Sequence, residues 1–194
     1  MSVAIQHATT RAGKKNKYEY NYWLLLVLLL VITPSNIESI PEWTLIASSG
    51  SAADRPSVRS EAKVICYDKK MILFGGWGDT WSNVNDLWEL DLETYAWALR
   101  INSGTSSDTL PITRKAHSLA NYNDTMLMFG GYSAIPDTKY NDLWSLNLKT
   151  YVWHKVSSGG AASSSQPSGR YGHSFVIYEN KAILFGGYDG NNKN

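Results

Sequence analysis

The dipeptide Gly-Gly closes an apolar run three times, at Met71-Ile72-Leu73-Phe74-Gly75-Gly76, Met126-Leu127-Met128-Phe129-Gly130-Gly131 and Ala182-Ile183-Leu184-Phe185-Gly186-Gly187. Gly75, Gly130 and Gly186 lie 55 and 56 positions apart, and other features keep the same register. Asn85-Asp86-Leu87-Trp88 returns as Asn141-Asp142-Leu143-Trp144, and Trp97 returns as Trp153. Arg59, Arg114 and Arg170 open the copies, the last two followed at a fixed offset by His117 and His173, where the first has Ala62. A period in this range marks an array of one structural unit, which restricts the chain to repeat architectures.

Each unit reads as four short strands. Val64 to Tyr67 and Phe175 to Tyr178 are rich in β-branched and aromatic residues, and these segments and Leu119 to Tyr122 each lie a short polar turn away from their Gly-Gly run, which predicts a hairpin of strands a and b. The b strands are apolar at every position, as expected of strands covered on both faces. Strand c alternates, with Trp88, Leu90 and Leu92 opposed to Glu89 and Asp91, so one face is expected in the core and the other wetter. Strand d carries Trp97 or Trp153 and follows the tight turns at Glu93-Thr94 and Lys149-Thr150. No segment after Pro34 carries a helical apolar stripe.

Arg-x-x-His, Phe-Gly-Gly, Asn-Asp-Leu-Trp and a final Trp, in that order over roughly residues 43 to 190, resemble the kelch repeat. The resemblance implies an all-β fold, a kelch-type β-propeller of four-stranded blades around a channel, most often six in this family. Blades are expected at 58–101 and 113–156, a half blade at 169–190, and a lone d strand at 43–47, where Trp43-Thr44-Leu45-Ile46 resembles the segments at Trp97 and Trp153. That is too few for a ring, so the chain reads as an incomplete propeller over 36–194. The expected explanation is a fragment with further repeats missing, and closure by self-association is the alternative.

Most motif residues are expected to be structural. Gly75, Gly76, Gly130, Gly131, Gly186 and Gly187 suit positive φ or close backbone approach. Trp88, Trp97, Trp144 and Trp153 read as packing residues. His117 and His173 occupy equivalent places in successive units, so buried hydrogen-bonding histidines are expected rather than two ligands of one metal. Asp86 and Asp142 are expected to fix the turn before strand c.

Strand direction puts the a–b and c–d turns at one end of a blade and the b–c and d–a connections at the other. The second set is long: 77–84 and 132–140 between b and c, 103–113 and 157–169 between d and a. Long loops on a rigid frame are where recognition concentrates. Trp77, Asp79, Trp81, Tyr132, Asp137, Lys139 and Tyr188 there form a candidate surface for a protein or glycan partner, with Ile135 and Asp189 beside them. Asn123-Asp124-Thr125 is an N-glycosylation sequon on the opposite, short-turn end.

Ahead of the repeats, Arg11, Lys14, Lys15 and Lys17 precede the apolar run Trp23 to Ile32. Residues 1–35 are read as a signal peptide or signal anchor, helical over that run, implying a secreted or membrane-tethered protein. If the segment is no signal, the chain is cytoplasmic. Beyond residue 35 the chain holds 14 Lys plus Arg against 16 Asp plus Glu, with no basic stripe for nucleic acid. Cys66 is the only cysteine, so no intrachain disulfide forms. No nucleophile elbow or metal-spaced cluster is present, and no cofactor or catalytic residue is expected. Propellers similar in repeat pattern also occur in oxidases, so a fragment of a galactose-oxidase-like enzyme is the alternative to a binding module.

Overall fold

A computed structural model describes residues 28–30, 43–45, 54–104, 109–163 and 165–190. The described chain is all-β and built of antiparallel sheets, an arrangement consistent with a kelch β-propeller. Strands β1 (Leu28–Leu30) and β2 (Trp43–Leu45) pair with each other. The first large sheet comprises β3 (Arg59–Ser60), β4 (Lys63–Tyr67), β5 (Lys70–Gly78), β6 (Asn83–Asp91) and β7 (Trp97–Ile101). In the second, β8 (Ser118–Tyr122), β9 (Thr125–Phe129), β12 (Leu143–Asn147) and β13 (Trp153–Ser157) lie in the order β13-β12-β9-β8. Between β9 and β12 a small hairpin pairs β10 (Tyr132–Ala134) with β11 (Asp137–Lys139). The third sheet is the hairpin of β14 (Ser174–Tyr178) and β15 (Lys181–Phe185).

The helix expected over the apolar run is overturned at Leu28–Leu30, which is extended and paired, Leu30 opposite Trp43. A short apolar run fits a strand or a helix by pattern alone, and here a backbone partner decides. The strand expected alone at 43–47 therefore has a neighbour. The remaining residues of the 1–35 segment, and residues 46–47, lie outside the described residues.

The core lies between sheets. Ile65, Ile72, Phe74 and Leu87 of the first sheet meet Met126, Met128, Trp144, Leu146 and Trp153 of the second. A smaller cluster joins Ala120 and Phe129 of the second sheet to Phe175 of the third. Apolar side chains on both faces of β9 are thus buried in two successive interfaces, which stabilise by roughly 25 cal/mol per Å² of apolar surface removed from water.

The repeated motif is a wiring scheme. Asp86 does not cap a turn, as its sequence position suggests, but accepts two hydrogen bonds from Arg59, at 2.6 and 2.8 Å, and one from Trp88 Nε1 at 2.7 Å. Asp142 does the same for Arg114, at 2.6 and 2.8 Å, and for Trp144 at 2.6 Å. Each arginine also donates to the carbonyl of the first motif glycine, Gly75 or Gly130; Arg170 donates likewise to Gly186. The preceding asparagine secures the d–a connection, Asn85 Nδ2 donating to Pro111 and Asn141 Nδ2 to Gly160 and Pro167.

The face of strand c expected to be wetter is also buried. Glu89 is only 4% exposed. It binds Lys70 and Arg100 of its own sheet and accepts from the Tyr151 hydroxyl of the next. Burial opposes the charge of Glu89, but Arg100, Tyr151 and Lys70 outweigh it and hold its pKa below the usual value. The alternation in the sequence therefore reflects an ion cluster between sheets, not a solvent face.

His117 and His173 are buried; among the described residues the ring nitrogens of His117 meet no hydrogen-bond partner, and those of His173 have none in good geometry, the Phe129 backbone being the polar group that acts on its ring. Each ring packs edge-on against the phenylalanine of the preceding unit, His117 on Phe74 and His173 on Phe129, at 5.5 Å between centroids. Room for the imidazole comes from the glycines: a Cβ on Gly130 would lie 2.9 Å from His173 Cε1 and 2.7 Å from the Arg170 carbonyl. Burial is the main cause that keeps both rings neutral, lowering His117 well below its ordinary pKa and His173 to about 4.

Candidate interaction surface

The b–c connections are not the long loops the sequence suggests. β5 runs through the glycine pair to Gly78 and β6 resumes at Asn83, so the first connection is a tight hairpin turned at 79–82. Gly78 N–H donates to the Ser82 carbonyl at 2.9 Å, and Trp81 N–H to the Gly78 carbonyl at 3.2 Å. The second connection is the β10–β11 hairpin. Backbone pairing continues past the sheet because a bulge at Gly75 re-aims β5 without ending it.

Pairing across these extensions lines up a row of side chains. The residue after each arginine lies opposite the residue after each Gly-Gly: Ser60 against Trp77, Lys115 against Tyr132, Tyr171 against Tyr188. Lys115 Nζ lies 5.0 Å from the Trp77 ring centre and 5.9 Å from that of Tyr132. The rings continue from Tyr132 to Tyr171 at 5.2 Å and from Tyr171 to Tyr188 at 5.5 Å, and Lys139 Nζ stands 5.8 Å from Tyr188. Cations over aromatic faces are held by the ring quadrupole. Glu61 binds Lys115 at 2.8 Å, so the charge of that lysine is already matched.

Of the side chains singled out in the sequence, Trp77, Tyr132, Lys139 and Tyr188 belong to this row. Trp81 projects from the first turn, 70% exposed, at a positive φ of 58°. Asp79 and Asp137 are exposed on the two hairpins, and Ile135 tops the second, 89% exposed. Burial is the main cause that raises the pKa of Tyr132, with Asp137 adding to it. A cleft of about 100 Å³ opens between the hairpins, lined by Trp77, Trp81, Asn83, Thr113, Ala134 and Ile135 among others.

Lys115, Tyr171 and Asn83 are members that the sequence reading passed over. The signal was present: Ser60, Lys115 and Tyr171 fill the variable position after an invariant arginine, where a repeat is free to differ. Asn123 lies exposed at the β8–β9 turn, with a φ of 53°. Its neighbour Asp124 is held there by the Tyr67 hydroxyl and by Lys149. Among the described residues no group of three or more His, Cys, Asp or Glu side chains is placed to hold a metal ion.

Comparison with known proteins agrees with this architecture. A family model described as the KLHDC2/KLHL20/DRC7 Kelch-repeats domain matches residues 29–187. Kelch domain-containing protein 3 of Rattus norvegicus is 32% identical over 143 residues, which are 69% of this chain and 35% of that protein. Its Homo sapiens counterpart is 31% identical over 153 residues, 75% of this chain and 37% of that protein. Tip elongation aberrant protein 1 of Schizosaccharomyces pombe is 30% identical over 156 residues, covering 79% of this chain but 13% of that protein. The chain spans far less than two thirds of the length of these relatives.

Proposed function

The chain belongs to the kelch-repeat family, and from that premise we propose that it is a protein-interaction module whose partner docks on the hairpin end. The observation that carries this reading is the row Trp77, Lys115, Tyr132, Tyr171 and Tyr188, with Trp81 and Ile135 projecting beside it. Aromatic side chains bring large contact area at small entropic cost, and they dominate binding energy at protein interfaces. Trp77 and Tyr132 stand on paired backbone, so little ordering of these two remains to be done on binding.

The test starts from a random heptapeptide library selected on the immobilised chain, followed by titration of one selected peptide. Replacing Trp81 or Tyr132 with alanine should weaken that peptide by about tenfold, since interface aromatics commonly carry 1 kcal/mol or more. Replacing Lys69 or Glu179, at the opposite end, should leave it unchanged. Loss confined to the Lys69 or Glu179 variants would move the docking surface to the other end.

The cluster Arg11, Lys14, Lys15 and Lys17 ahead of the apolar run supports a leader or membrane tether. Expression of the full chain in a secreting cell, with N-terminal sequencing and enzymatic deglycosylation of the product, tests both export and use of Asn123.

A further inference from the structure

We propose that two copies of this chain join head to tail into one closed ring, the β1–β2 hairpin of each completing the β14–β15 sheet of the other. Register carries the assignment. In the first large sheet Leu90 faces Trp97 and Trp88 faces Leu99; in the second Leu146 faces Trp153 and Trp144 faces Lys155. In the β1–β2 pair Leu30 faces Trp43 and Leu28 faces Leu45. The three alignments coincide, so β1 corresponds to β6 and β12, and β2 to β7 and β13. The hairpin is the c–d half of a blade.

The third sheet is the complementary half. β14 and β15 pair in the register of β8 and β9, Ser174 facing Phe185 as Ser118 faces Phe129. β9 carries β12 on the side away from β8, and β5 carries β6, whereas among the described residues β15 pairs with β14 alone. Continued in the same register, Leu28, Leu29 and Leu30 come opposite Leu184, Ile183 and Ala182, as Trp144, Ser145 and Leu146 stand opposite Met128, Leu127 and Met126. An open sheet edge offers its unpaired N–H and C=O groups to such a strand. Neither three-residue segment carries a charge, so the repulsion that guards many edges is missing from both.

Counting blades fixes the number of copies. A c–d half, two full blades and an a–b half make three blades in each chain. Propellers hold roughly four to eight, so one chain closed on itself falls below that range, while two chains give six blades. A two-fold assembly is also the commonest symmetry among oligomers. Packing agrees with the closure. Phe129 of the second sheet meets Phe175 of the third, with 6.1 Å between ring centres. One repeat further on, Phe185 takes the place of Phe129, and Val64 of the second copy takes that of Phe175. In a single copy Phe185 is 76% exposed and Val64 49%. Ring closure covers both, together with Ile183.

Sedimentation equilibrium of the full 194-residue chain should fit a monomer and a dimer with no larger species, because a closed ring leaves no edge to extend. Ile183→Thr combined with Phe185→Ser should raise the dissociation constant by about tenfold or more. A disulfide test then places the contact. Leu29→Cys and Ile183→Cys are introduced in separate chains, each with Cys66→Ser and its own tag, and variants whose thermal unfolding matches the parent are mixed under an oxidant. Facing residues of an antiparallel pair lie within disulfide reach, so a disulfide joining the two tags should form. Its yield should fall by about tenfold, on the order expected when the sulfurs lie out of reach, with Glu179→Cys, at the β14–β15 turn, in place of Ile183→Cys. A monomer at every concentration overturns the proposal, as does an open-ended series of larger species. A dimer in which the Leu29→Cys and Ile183→Cys chains give no shared disulfide, or one no better than the Glu179→Cys control, puts the contact elsewhere and overturns it as well.

Discussion

Asp142 shows how much one side chain carries in this fold. Its carboxylate satisfies the fully buried Arg114 guanidinium and the Trp144 indole at once. Asp142→Asn would leave that guanidinium without a counter-charge, so unfolding in urea should report a loss of about 3–5 kcal/mol. Lys69→Ala, which removes one partner of the exposed Lys69–Glu93 pair, should cause no measurable change. Equal effects of the two would mean that the buried pair does not hold the unit. The buried histidines give a pH signature. Both have folded-state pKa values below the unfolded value, His173 at about 4, so the unfolded chain binds protons first. Their contribution to stability is full above about pH 6.5 and is lost as pH falls toward 4. Urea midpoints across that window should decline, and His117→Phe, which keeps an edge-on ring against Phe74, should reduce the decline.

Among the elements, the strand carrying Phe-Gly-Gly joins one sheet to the next. Gly130 needs a φ of +65°, and its missing Cβ leaves space for the Arg170 carbonyl and the His173 ring of the next sheet. Gly172 has a similar φ, +68°, but faces open space. Comparing the two separates backbone strain from packing. Gly172→Ala should destabilise by about 1 kcal/mol, whereas Gly130→Ala adds a backbone clash and should cost about 2–3 kcal/mol more. Equal losses in thermal unfolding would show that φ alone explains the motif. The hairpins beyond the glycine pair place Trp77 and Tyr132 on paired strands, and that rigidity suits them to recognition better than loops of equal length would.

For the molecule as a whole, the third sheet sets the solution behaviour. Its inner face is covered through Phe175, while Val176, Ile183 and Phe185 on the other face are 53%, 46% and 76% exposed. An apolar sheet face of this kind associates in water. Static light scattering of the 194-residue chain should therefore detect self-association, reduced by Phe185→Ser combined with Ile183→Thr. A monodisperse monomer at every concentration would show that these side chains are tolerated as surface.

The sequence by itself determined the repeat, its strands and the kelch resemblance, because a period of 55 to 56 residues and apolar runs ending in Gly-Gly are local signals. It also marked Trp77, Tyr132, Lys139 and Tyr188, whose position after a strand is visible in one dimension. It misjudged Asp86, Asp142 and Glu89, since a buried ion cluster and a solvent-facing carboxylate look alike in a one-dimensional pattern. Only the tertiary structure decided that the motif aspartate answers the arginine 27 or 28 positions before it, and that each histidine fills a space left by the preceding unit's glycine. The cleft beside Asn83 was equally invisible in the sequence. Two hairpins from neighbouring units form it, and their approach depends on how the sheets stack, a long-range packing term that no local pattern encodes.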